Sequence, residues 1–102
     1  TALSYSDAET KAAMQEIYDE FNYVADPHGA VAYLGLQAYT AKNPTSAGVF
    51  LETAHPSKFI DVVESNLDIE VSLPENVRYL MNRKKHSILT SNYEDLKSFL
   101  LQ

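Results

Sequence analysis

The sequence is 102 residues long, 45% apolar and 22% charged, which suits one small folded domain and excludes a disordered chain. Its net charge of −6 argues against sequence-independent nucleic-acid binding and against anionic membrane surfaces. The basic group Arg83-Lys84-Lys85, with Arg78 nearby, is too short to reverse that sign. With no cysteine, a disulfide framework and a thiolate metal site are both excluded.

In chain order, Ser6-Asp7-Ala8-Glu9 reads as a capping box, with Ser6 as N-cap and Glu9 reaching back. Met14, Ile17, Tyr18 and Phe21 follow at the spacing of one helix face, which predicts a helix from about Asp7 to Phe21. Lys11, Gln15, Asp19 and Glu20 mark its exposed side. Asp26-Pro27 starts a second helix, because Asp caps and proline fits the first helical position. From Ala30 to Tyr39 only Gln37 is strongly polar. A helix apolar all round calls for neighbours on most sides, more than so short a chain supplies. Asn43-Pro44 stops it.

Ala47 to Glu52 is a short, mostly apolar run that predicts a buried strand of a parallel sheet. A third helix begins near Pro56, with Phe59, Val62, Val63 and Leu67 inward. Ile69, Val71 and Leu73 alternate, as an extended edge segment does. Pro74 opens a fourth helix with Val77, Leu80 and Met81 inward, and Arg83, Lys84 and Lys85 suit the dipole at its C-terminus. Ser91-Asn92-Tyr93-Glu94 reads as another capping box, before a last helix that buries Tyr93, Leu96, Phe99 and Leu100. Five helices and one or two short strands make an α/β segment. A lone strand leaves backbone groups without partners, so the rest of the sheet is expected from elsewhere.

Ligands of open α/β sheets bind beyond the carboxyl ends of strands, and helix N-termini there favour anions. Thr53 stands at such a strand end, and Asp26-Pro27-His28 and His55-Pro56 are two helix starts. Each residue also has an ordinary structural role. Thr53 ends a strand, Asp26 caps, His55 turns the chain before a proline, and Lys58 is a solvated side chain. His28, His55 and His86 show no metal-ligand spacing. There is no Gly-x-Ser-x-Gly, and Gly29, Gly35 and Gly48 lie too far apart to form a phosphate-binding loop.

Two stretches carry a family signal, "YVADPHGAVAY" (Tyr23 to Tyr33) and "VFLETAHPSKF" (Val49 to Phe59). They resemble the C-terminal part of bacterial threonine synthases, whose usual forms are close to Asp-Pro-His-Thr-Ala-Val and Thr-Ala-His-Pro-Ala-Lys-Phe. The resemblance covers the whole chain, including the early "SDAET" helix start and the late Leu-Pro before a terminal helix. Gly29 departs from the common Thr, and Ser57 from the common Ala.

The resemblance implies a C-terminal piece of a pyridoxal-phosphate enzyme with a tryptophan-synthase-beta-like fold. The parent would convert O-phospho-L-homoserine and water to L-threonine and phosphate. Thr53 matches the hydroxyl residue that this fold type sets against the cofactor's pyridine nitrogen. Asp26, His28 and His55 would stand at the pocket wall, and His55 with Pro56 would shape the turn that presents Thr53. The family's Schiff-base lysine lies in a Phe-Lys-Asp context that no lysine here has, so no catalytic residue is assigned to this chain. The piece alone is expected to be inactive and to bind no cofactor. Its partners would be the remainder of the enzyme chain and, in the parent, the phosphate ester, with self-association of the isolated piece. The start "TALSYSDAET" is unlike a signal peptide and lacks an initiator Met, as in a processed chain or a piece of a longer one. Together with the absence of cysteine, this points to the cytoplasm. The alternative is a free-standing, acidic helical interaction module with no active site.

Overall fold

The computed structural model describes residues 2–80, 83, 84, 87 and 89–102. Its elements are α1 (Asp7–Phe21), α2 (Pro27–Lys42), a 3₁₀ turn (Pro56–Phe59), α3 (Ile60–Leu67), α4 (Glu75–Arg78) and α5 (Tyr93–Leu100). The start of α1 follows from local hydrogen bonds. The Ser6 hydroxyl accepts from the Glu9 N–H at 3.3 Å, and the Glu9 carboxylate accepts from the Ser6 N–H at 2.7 Å. The same bonds hold the Glu9 carboxyl below its usual range. Asn22 ends the helix in the left-handed conformation (φ 51°), and its N–H donates to the Tyr18 carbonyl. Asp26 caps α2 through the His28 N–H at 2.7 Å, with Pro27 in the first turn.

α1 packs against α2 and α3, and α3 against the 3₁₀ turn. Ala13, Met14 and Ile17 of α1, Ala25, Ala30 of α2, Val63 and Leu67 of α3, and Val71 form the buried core. Polar bonds tie the same layer. The Tyr33 hydroxyl donates to the Glu16 carboxylate at 2.8 Å, and the Gln37 amide donates to both at 2.8 Å. Burial and the Glu16 bond push the Tyr33 phenol up to about 12. The Asn66 amide donates to the Lys11 carbonyl at 2.9 Å, joining α3 to α1.

The radius of gyration is 18.9 Å, against about 13 Å for a compact chain of this length. The excess shows in the apolar surface. In α2 only Gly29 and Ala30 are buried, while Val31 and Tyr39 are exposed. The all-round apolar character of this helix is thus left without the neighbours it calls for.

Several expectations are corrected. Among the described residues there is no β-strand, neither at 47–52 nor at 69–73. A strand exists through ladder bonds to a second strand, and among the described residues none lies alongside. Residues 49–55 nevertheless keep a two-residue alternation. Phe50, Glu52 and Ala54 are half-buried, and Val49, Leu51, Thr53 and His55 are exposed. Val49 is 89% exposed and Leu51 75%. The stretch is therefore pleated like a strand with one face covered and the other open.

Val62 points outward rather than into the core. α4 is a single turn, and Leu80, expected inside, is exposed. Arg83 and Lys84 lie beyond its end, and Met81 and Lys85 lie outside the described residues. α5 is capped by Asn92, whose side chain accepts from the Asp95 N–H at 2.9 Å, so Ser91 is not the cap. Its apolar face (Tyr93, Leu96, Phe99, Leu100) is exposed, not buried. The amphipathic pattern is correct, and among the described residues nothing covers that face.

Candidate functional site

The two motif stretches meet at the N-terminus of α2. Asp26 is completely buried. Its Oδ1 accepts the His28 N–H at 2.7 Å and lies 2.9 Å from the His28 ring Nδ1. The His28 ring stands 5.0 Å from the Phe59 ring, tilted by 54°. Asp26 also donates its own N–H to Glu52 Oε1 at 3.1 Å. The pattern "ADPH" is thus joined to "ETAHPSKF" through Asp26–Glu52 and His28–Phe59. Asp26 caps as expected and stands with His28 in one cluster.

The electrostatics of this cluster are those of two acids in close quarters. Burial and the Asp26 carboxyl beside it push the Glu52 carboxyl up to about 7. Burial also acts to raise Asp26, but the neighbouring Glu52 carboxyl and the hydrogen bonds from the His28 backbone and ring outweigh it and hold Asp26 low. Tyr23 is raised by burial and by the Glu52 and Asp26 charges beside it. Sequence reasoning missed Glu52. The available signal was an acid at the even-numbered, covered parity of an otherwise apolar run.

His55 is exposed and caps the 3₁₀ turn. Its Nδ1 accepts the Ser57 N–H at 3.2 Å and lies 2.9 Å from the Ser57 hydroxyl. The structure therefore gives His55 the turning role expected of it. It lines an open groove with Tyr23, Val24 and Pro56. Lys58 is exposed within the same turn. Among the described residues no three His, Asp or Glu side chains are placed to hold a metal ion.

Thr53 is exposed on the open face of the pleated stretch, on the side of Val49 and Leu51. An exposed hydroxyl at the end of such a stretch fits one contact of pyridoxal phosphate, the pyridine nitrogen. Gly35, within α2, has nothing close to it. The space above Gly29 is taken by the Glu52 carboxyl and that above Gly48 by Leu36. No helix among the described residues is long and apolar enough to cross a membrane.

A family model described as "Threonine synthase, C-terminal" matches residues 29–100. Among curated relatives, the threonine synthase of Buchnera aphidicola from Schizaphis graminum is 40% identical over 97% of this chain and 23% of its own length. That of Escherichia coli is 41% identical over 70% of this chain and 16% of its own. That of Saccharomyces cerevisiae is 33% identical over 83% of this chain and 19% of its own. The chain thus spans less than a quarter of the length of the relatives it matches. No solved structure matches it. The family match and its position, together with the two joined motifs, show that this chain belongs to the threonine synthase family and corresponds to its C-terminal part.

Proposed function

We propose that this chain completes one wall of an enzyme that converts O-phospho-L-homoserine and water to L-threonine and phosphate in the cytoplasm. Pyridoxal phosphate, when bound, supplies the electron sink for that reaction. One observation carries the reading for this chain: Thr53 is exposed on the uncovered face of the pleated stretch, beside Val49 and Leu51. There its hydroxyl can bond a ring nitrogen brought by the rest of the protein, while Val49 and Leu51 meet the neighbouring strand. Asp26 and His55 cap two helix starts, the His28 ring bonds the Asp26 carboxylate, and the three stand at the wall of the site without a catalytic step. The lysine and the phosphate cup come from the remainder of the longer protein, so this chain alone neither binds the cofactor nor turns over substrate. Family membership supports this reading over the free-standing interaction module.

In the full-length protein, Thr53→Val should shift the cofactor's absorbance and lower turnover about tenfold, the effect of one lost hydrogen bond. Thr53→Ser should keep both near wild type. Unchanged spectrum and kinetics in Thr53→Val would remove Thr53 from the site.

A further inference from the structure

We propose that Asp26 and Glu52 share a single proton and act as a clamp that positions Thr53 against the start of α2. Each carboxyl has one oxygen engaged and one buried without any other partner. Glu52 Oε1 takes the Asp26 N–H, and Asp26 Oδ1 takes the His28 N–H and ring. Among the described residues, Asp26 Oδ2 and Glu52 Oε2 are both buried and have no hydrogen-bond donor. Two ionised carboxylates would leave both oxygens unsatisfied and repelling. One proton on Glu52 Oε2, donated to Asp26 Oδ2, satisfies both at once. The raised Glu52 and the lowered Asp26 have the direction such sharing requires. The groups facing the pair are the His28 ring and the Tyr23 phenol.

Gly29 makes room for this arrangement. A Cβ at position 29 would fall on the Glu52 carboxyl, 2.6 Å from Cδ and 2.8 Å from Oε1. Gly29 is also where the chain departs from the Thr common in the family pattern. The missing side chain and the carboxyl are thus two halves of one feature. A substituent at 29 expels Glu52, and with it the tether on the residue immediately before Thr53. Glu52 is a positioning residue, since it touches no reacting atom.

The clamp rests on the geometry at 26, 29 and 52. Its effect on catalysis rests on the proposed role of Thr53, and the test separates the two. In the full-length protein with ¹³C-carboxyl-labelled glutamate, assigned by loss of the signal in Glu52→Gln, the Glu52 resonance should titrate near 7. Glu52→Ala and Gly29→Ala should each reduce kcat/KM about tenfold, and the double variant should be no worse than either alone. Glu52→Gln, whose amide donates to Asp26 Oδ2 as the shared proton does, should recover most of that loss and remove its dependence on pH around neutrality. A Glu52 resonance titrating as an ordinary carboxylate, additive losses at 29 and 52, or Glu52→Gln as damaged as Glu52→Ala would each overturn the clamp. If the titration and the non-additivity hold while Thr53→Val behaves as wild type, the clamp stands and the cofactor role of Thr53 falls.

Discussion

Glu52→Gln should flatten the pH dependence of stability, with a sign that follows from which state holds the proton. Glu52 has an ordinary value of 4.5 and is raised to about 7 in the folded protein. The stability it contributes is fully present below the unfolded value and is lost as pH rises through about 7. Asp26 runs the other way: its lowered carboxyl contributes stability above 3.8 that is lost as pH falls. At about 1.4 kcal/mol per unit, the Glu52 shift alone corresponds to about 3 kcal/mol. The carboxyl is only half-buried and its proton is shared with Asp26. Solvent screening and coupling reduce the expected effect to about 1–2 kcal/mol. Urea unfolding of the full-length protein at about pH 5 and about pH 8 measures it. Wild type should lose about 1–2 kcal/mol between the two relative to Glu52→Gln, which carries a fixed donor. Parallel curves would show that Glu52 is ionised throughout and that the two buried oxygens are satisfied in another way.

Other outcomes follow from the packing. Met14 is fully buried where α1 meets its neighbours, so Met14→Ala should cost about 2–5 kcal/mol in denaturant unfolding. Tyr33→Phe removes the hydroxyl between Glu16 and Gln37, and should cost about 1 kcal/mol while leaving helix content by circular dichroism unchanged. The isolated 102-residue chain should self-associate in sedimentation experiments, because Val49, Leu51 and the apolar side of α5 have nothing over them. A monodisperse monomer at high concentration would contradict that.

Local hydrogen bonds were legible in the sequence. The capping box at Ser6 and Glu9, the Asp26-Pro27 start and the His55 cap all span a few residues, so their partners are adjacent in the chain. The helical repeat of α1 and α5 was legible for the same reason. Burial was not, because an apolar side chain is buried only if something covers it. Val62, Leu80, Phe99 and Leu100 carry the right chemistry and face solvent. Nor does a run such as "VFL" form a strand without a second strand alongside, whatever its propensity.

The candidate site divides in the same way. Thr53, Asp26, His28 and His55 stood out through motif and position alone. The approach of Glu52 to Asp26, 26 residues apart, and of Phe59 to His28 arose from tertiary packing. Helix starts are decided within one turn of chain, where bonding partners are supplied in order. The pairing of Asp26 with Glu52 and the seating of the Glu52 carboxyl over Gly29 exist only after α2 and the pleated stretch have come together, because each depends on atoms that the other brings.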